Sequence, residues 1–316
     1  MINQATPIHK IGMHGSNDIY IKREDLLPFS FGGNKVRIAL EYFAHMDELG
    51  KDCLIGYGNA RSNLCRVLAN MSLSRGRVCH IISPADDDGM RLETNNSYMV
   101  QSCGAKLHTC SKSNVSETVQ SVIDSCVADG FNPYYIYGDK FGNGFEAIPV
   151  RAYERVYQEI CRQEQKMEIN FDYIFLATGT GMTQSGLLAG ANLRNDKRNI
   201  VGISVARNQA REKEIILKYL NAFAYDKGIE FAVVNDITVC DDYLYGGYGK
   251  FQEGIQDTIR TIFCEKGIPL DPTYTGKAFY GMKEYIQKHR LENKKILFIH
   301  TGGVPLFFDN ISLIQK

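Results

Sequence analysis

The sequence shows no excess of either charge: Lys and Arg total 36, as do Asp and Glu, so the formal net charge is zero. That balance argues against nucleic acid or an anionic membrane as partner. No apolar run approaches the ~20 residues that span a bilayer. The opening stretch MINQATPIHKIG lacks the basic-then-apolar build of a secretion signal. No Cys-x-x-Cys pair occurs among the nine cysteines, whose number is odd and whose positions are scattered. A disulfide framework or a zinc site is therefore not expected, and no metal is assigned. Dispersed thiols fit a reducing cytoplasm, each acting as a small buried hydrophobe. Internal repeats and low-complexity tracts are also missing.

What remains is an ordinary globular composition: 316 residues, 44% hydrophobic and 23% charged. That length suggests one large domain or two modest ones. Short apolar runs alternate with amphipathic stretches. Residues 52–58, 77–84 and 105–111 read as strands, and 62–76, 91–104 and 116–130 as the helices between them. Further strands are expected at 171–181, 199–206, 229–236 and 294–303. Strands separated by helices of 10–15 residues are the pattern of βαβ units, and runs rich in Val, Ile, Leu and Phe suggest burial on both sheet faces. The polar helical stretch 149–170 reads as a bridge between two sub-domains. The expected division is 1–45 with 155–316 as the larger domain and 46–154 as the smaller.

Three strand-to-helix turns carry candidate chemistry. In FLATGTGMTQSGLLAG (175–190), a buried strand runs into Thr178, Gly179, Thr180, Gly181, Met182 and Thr183 before a helix begins. Glycines let backbone N–H groups approach an anion, hydroxyls add donors, and a helix start adds partial positive charge. The stretch is neither GxGxxG nor a Walker loop. By itself it is either a phosphate cradle or a tight turn that needs glycine. In GYGNARSNLCRV (56–67), Ser62 and Asn63 fall where a helix cap belongs, and a substrate carboxylate would suit the same place. In GGNKVR (32–37), Lys35 follows two glycines and an asparagine at the start of a helix. It is a solvated loop lysine or a held, partly desolvated nucleophile. Tyr248 and Tyr274 lie in aromatic, glycine-rich stretches, either as core tyrosines or with hydroxyls facing a cavity.

Taken in order, KREDLLPFSFGGNKVR, GNARSN, ATGTGMTQSGL, DDYLYGGYG, LDPTYTGKA and ILFIHTGGVPLFF resemble the pyridoxal-phosphate enzymes of fold type II. The nearest likeness is the D-cysteine desulfhydrase and 1-aminocyclopropane-1-carboxylate deaminase group, and it spans residues 22–308. The resemblance implies an α/β fold like that of the tryptophan synthase β chain: two open, twisted, mostly parallel sheets flanked by helices, with pyridoxal 5'-phosphate in an interdomain cleft. It implies that Lys35 holds the cofactor aldehyde as an imine and moves the α-proton, and that residues 178–183 hold the phosphate. Ser62 and Asn63 would meet the substrate carboxylate, with Leu64 beside them, and Asn63 would also reach the ring oxygen. Tyr248 and Tyr274 would line the substrate side of the ring. Thr275 and Thr301 fall where the group places its partners for the pyridine nitrogen.

That last pair separates two activities. The deaminases it resembles carry Glu and Leu there, and the desulfhydrases carry hydroxyls. A neutral hydroxyl leaves the nitrogen unprotonated, a weaker electron sink that suffices when a good leaving group such as thiolate departs from Cβ. The resemblance therefore implies α,β-elimination from a small β-substituted amino acid, D-cysteine first; the alternative is cyclopropane-acid deamination or another altered amino-acid substrate. Leu64 stands where the family has a polar His or Gln, and Arg61 where it has Gln. Both departures, with the charged stretch 135–150, bear on substrate preference and chirality. The group is usually homodimeric, which is carried over as analogy.

Overall fold

The structure, a computed structural model, describes residues 4–85, 92–230 and 236–315. In chain order the first half gives β1 (Ile8–His14), β2 (Asn17–Arg23), α1 (Asn34–Glu48), β3 (Cys53–Tyr57), α2 (Asn63–Ser74), β4 (Val78–Pro84), α3 (Asn95–Ser102), β5 (Lys106–Cys110), α4 (Val115–Ala128) and β6 (Pro133–Tyr135). The second half gives α5 (Ala147–Met167), β7 (Tyr173–Thr178), α6 (Met182–Leu193), β8 (Asn199–Ser204), α7 (Gln209–Lys227), β9 (Thr238–Cys240), α8 (Glu253–Lys266), α9 (Thr275–Lys288), β10 (Lys295–His300) and α10 (Val304–Phe308). The strand expected at 229–236 lies mostly outside the described residues. The chain forms two compact units, 1–34 with 149–316, and 35–148. The joins thus fall at the starts of α1 and α5, whereas 45/46 and 154/155 lie within those helices.

The larger unit holds a six-stranded sheet in the order β1-β2-β10-β7-β8-β9. All neighbours are parallel except the β1–β2 hairpin at one edge. β7, β8 and β10 each bury five consecutive residues, as expected for parallel strands covered on both faces. Phe175, Ile203, Phe279, Met282 and Phe298 belong to the core. On the α6 side, Gly186 and Gly190 lie directly against Tyr153 and Tyr157 of α5, where any Cβ would collide. Two glycines one helical turn apart thus let α6 sit close and hold its start in place.

The smaller unit carries a four-stranded parallel sheet in the order β5-β4-β3-β6. The architecture is the expected α/β class, two mostly parallel sheets with flanking helices. No helix among the described residues is long and apolar enough to cross a membrane.

Candidate active site

The glycine turn after β7 is built as an anion cradle. Gly181 has φ +77° and precedes α6 without any side-chain cap. An L side chain would strain that left-handed backbone. The first turn of α6 contains no acidic residue, so no carboxylate of its own competes for the positive helix end. The loop is braced from behind. Thr178 Oγ1 donates to Glu212 Oε1 at 2.8 Å, and Arg207 donates to Glu212 Oε2 at 3.2 Å and to the Gly179 carbonyl. The hydroxyl hydrogen of Thr178 is therefore committed to buried Glu212, and this residue can serve an anion only through its backbone. Thr183 differs: its Oγ1 accepts from Asn34 Nδ2 at 2.8 Å, so its hydrogen remains to be given.

The same Asn34 explains the glycines before Lys35. Gly33 N–H donates to Glu24 O at 2.8 Å and Asn34 N–H to Thr301 O at 3.0 Å. A Cβ on Gly33 would come within 2.9 Å of Thr301 O, and one on Gly302 within 2.6 Å of Gly33 Cα. The two Gly-Gly pairs permit backbone-on-backbone packing, with φ +98° at Gly33 and +104° at Gly302. Asn34, the last residue of the larger unit, is thereby tied at backbone and side chain. Lys35 is the next residue, in a first turn of α1 that also lacks acids.

Also in the larger unit, the hydroxyls of Tyr248 and Tyr274 are hydrogen-bonded to each other, with ring centroids 5.7 Å apart. Tyr248 sits on a loop with positive φ at Tyr245, Gly246, Gly247 and Gly249. Lys277 of α9 is fully buried and clasps that loop, its Nζ donating to Leu244 O at 3.1 Å and Gly247 O at 3.3 Å. Burial pulls the Lys277 ammonium down to about 8, opposed by the charge of Asp271.

Asp271, also fully buried, organises the start of α9. Its Oδ1 accepts from the N–H of Thr273 (2.9 Å) and Tyr274 (2.8 Å), and its Oδ2 from the Thr275 N–H (3.1 Å) and Oγ1 (2.8 Å). Burial raises its carboxyl above the usual range despite these bonds. Thr275 Oγ1 in turn accepts from Asp271 N–H at 2.9 Å. The Thr275 hydroxyl therefore has its hydrogen committed within its own turn. The Thr301 hydroxyl, by contrast, has no hydrogen-bond partner among the described residues. Of the pair expected to face a pyridine nitrogen, only Thr301 has a hydrogen to offer. His300, beside it, is a structural link: Nδ1 accepts from Gly302 N–H at 3.2 Å, so Nε2 carries the proton and donates to Pro269 O at 2.9 Å.

In the smaller unit, Ser62 is the N-cap of α2, its Oγ accepting from Cys65 N–H at 3.2 Å. The same hydroxyl is also hydrogen-bonded to the Cys65 side chain. Asn63 has its amide orientation set by two donors on Oδ1, Arg66 at 2.9 Å and Asn96 Nδ2 at 3.0 Å. Its Nδ2 donors consequently face away from both. Arg66 also donates to Asn96 Oδ1 at 2.9 Å, and Asn96 to Arg61 O at 3.1 Å. Leu64 is buried within α2. Asn34, Arg66, Asn96, Asp271 and Lys277 were not singled out from the sequence. The readable signals were charged or amide groups inside otherwise apolar helical spacing, and an Asp three residues before a helix cap.

The donors present fit a phosphorylated pyridine aldehyde. Within the larger unit, the turn offers an uncapped helix start and the Thr183 hydroxyl, a set that suits a phosphate, and Thr301 offers a neutral donor that suits a ring nitrogen. Comparison with known proteins agrees. Residues 2–302 match the family described as pyridoxal-phosphate dependent enzyme. The D-cysteine desulfhydrase of Serratia proteamaculans is 31% identical over 324 residues, covering 98% of this chain and 94% of its own. That of Klebsiella pneumoniae is 30% identical over 319 residues, with the same two coverages of 98% and 94%. A crystal structure of an ACC deaminase homologue superposes with a TM-score of 0.85 at 30% identity, covering 99% of this chain and 94% of that one. The chain therefore belongs to the pyridoxal-phosphate dependent enzyme family, in its fold type II, and is a lyase of that family.

Proposed function

We propose that the enzyme catalyses α,β-elimination on a small β-substituted amino acid, D-cysteine foremost, which with one water yields pyruvate, hydrogen sulfide and ammonia. The observation that carries this reading is the neutral donor at Thr301, together with a threonine rather than a glutamate at 275. A carboxylate at 275 would favour a protonated ring nitrogen, whereas a hydroxyl leaves it neutral. Full-length likeness to desulfhydrases supports the same conclusion.

The bound cofactor supplies an electron sink for the pair left at Cα when its proton departs. The chain's own groups do the rest. Lys35 would hold the cofactor through its Nζ and, as a free amine, would take the α-proton of the substrate. The Gly179–Thr183 turn, through its N–H groups and the Thr180 and Thr183 hydroxyls, receives the phosphate, with Met182 starting the helix. Ser62 Oγ and Asn63 Nδ2 receive the substrate carboxylate, beside Leu64, and Asn63 also reaches the ring oxygen. Tyr248 and Tyr274, already sharing a hydrogen bond, stand on the substrate side, where one hydroxyl hydrogen can follow the departing thiolate. Thr275 contributes through the turn it closes with Asp271.

The protein is expected to be yellow, and borohydride should fix the chromophore to Lys35. A panel of D- and L-cysteine, serine, β-chloroalanine and 1-aminocyclopropane-1-carboxylate, assayed for keto acid and sulfide, tests the substrate. Release of both products from D-cysteine is expected. Turnover of the cyclopropane acid alone would overturn the elimination reading in favour of the second one, which rests on likeness to the deaminase homologue. A reducing, cytoplasmic setting and a homodimer accompany this reading, supported by the nine free thiols and the family analogy; light scattering on the purified protein checks the dimer.

A further inference from the structure

Four side chains of the smaller unit, none of them used in the reading above, gather on one face of its sheet. Cys53 of β3 pairs with Val78 of β4, and Ile55 with His80, so the two-residue period puts Cys53 and His80 on the same face. His108 of β5 pairs with Ile82 of β4 and joins them. Cys126 reaches the cluster from the last turn of α4. Cys53 Sγ lies 3.6 Å from Cys126 Sγ, and Cys126 Sγ lies 3.7 Å from His80 Nε2. Those three ligand atoms are all within 4.8 Å of one another, on residues that are 0%, 1% and 4% exposed.

The Cys53–Cys126 and Cys126–His80 separations are those of neighbouring corners of one coordination sphere, and the third pair lies within 4.8 Å. With metal–sulfur and metal–nitrogen bonds of about 2.3 and 2.05 Å, tetrahedral angles put S···S near ~3.8 Å and S···N near ~3.6 Å. Trigonal angles give about 4.0 and 3.8 Å. The outer shell is also in place. His80 Nδ1 is 2.9 Å from His108 Nε2, with the rings parallel to within 4°. An Nδ1–H donated to His108 leaves the His80 Nε2 lone pair facing the thiols, the arrangement that orients a metal-bound imidazole. Burial holds His80 down to about 4, so the ring is neutral near pH 7. Burial likewise keeps both thiols protonated while no cation neutralises them.

We propose that Cys53, His80 and Cys126 form a site for a thiophilic d10 cation, Zn2+ or Cu+. Binding exchanges two S–H bonds for two S–metal bonds and releases two protons. Two thiolates balance Zn2+ to a neutral centre that an apolar interior tolerates, with a fourth position for water; Cu+ is satisfied by three ligands. Either ion would staple β3, β4 and α4 together.

The test uses reduced, cofactor-loaded protein stripped with a chelator, titrated with Zn2+ alone and, without oxygen, with Cu+ alone. One equivalent of at least one ion is expected to bind, with a calorimetric heat whose buffer dependence reports two protons released. The thermal midpoint should rise, and Co2+ in place of Zn2+ should show thiolate-to-metal absorption. Cys126→Ser should weaken binding at least 100-fold while keeping the yellow chromophore, His108→Ala should weaken it roughly tenfold, and Cys264→Ser, at an exposed thiol, should change nothing. The absorption measurement on the unmutated protein decides the matter if the Cys126 variant does not fold. Failure of both ions to bind stoichiometrically, undiminished affinity in Cys126→Ser, or a Cys53–Cys126 disulfide in protein kept under reductant would each overturn the proposal.

Discussion

Thr275 and Thr301 carry the same side chain and do different work. The Thr275 hydroxyl closes a turn with Asp271, donating to its carboxylate and accepting from its N–H. Thr275→Val should therefore cost about 1–3 kcal/mol of stability, because a buried carboxylate loses a donor. Thr301→Val should leave the unfolding midpoint nearly unchanged and slow turnover. Denaturant melts paired with steady-state rates on the two variants check this opposition; equal stability losses would refute it. Asn63 offers a parallel case. Asn96→Leu should leave Arg66 alone to orient the Asn63 amide, weakening cofactor affinity about tenfold, some 1.4 kcal/mol, as a fluorescence titration would read. The residue types at these positions were legible in the sequence. Their commitments were not, because identical hydroxyls and amides differ only in which neighbour reaches them first. Asp271 was the missed clue: an Asp in a Pro-containing turn just before a helix is a standard N-terminal acceptor.

At the scale of elements, the buried strands β3, β4, β7, β8 and β10 and the helices after them follow the expected alternation, since parallel strands buried on both faces read as unbroken apolar runs. β1 was not legible because four of its seven residues are exposed. β6 and β9, three residues each, are too short to show a period. The glycine-rich stretch around Tyr248 is visible in the sequence, whereas what holds it, Lys277, is not. Lys277→Met removes the donor from the Leu244 and Gly247 carbonyls, and kcat with D-cysteine should fall about tenfold, roughly 1.4 kcal/mol of barrier. A pH series adds a sign. The folded value near 8 lies below the ordinary 10.5, so between the two the unfolded chain holds a proton that the folded chain has released. Stability from this group is complete above 10.5 and lost as pH falls through 8. Relative to Lys277→Met, the natural protein should thus gain on the order of 3 kcal/mol between pH 8 and 10.5. A flat difference across that range would contradict the buried, depressed amine.

For the whole molecule, the cofactor is a folding ligand as well as a reagent. Free cofactor at 100 times its dissociation constant stabilises the native state by about 2.7 kcal/mol. Removing it should lower the thermal midpoint, and Lys35→Ala, which leaves the phosphate turn intact, should still respond to added cofactor while losing turnover. No response in that variant would show that anchoring and phosphate binding are not separable.

The pairing of β2 with β10 joins residues 18–23 to 295–300. A ribosome therefore delivers one neighbour of this pair long before the other. The segment 53–135, which holds β3 to β6, emerges in between and can assemble its own sheet first. The leading hairpin has to wait, its β2 edge open, until the last strand arrives. Loss of the tail beyond residue 294 would accordingly split the larger sheet down its middle rather than trim its border, leaving a nascent chain prone to sticking to its neighbours.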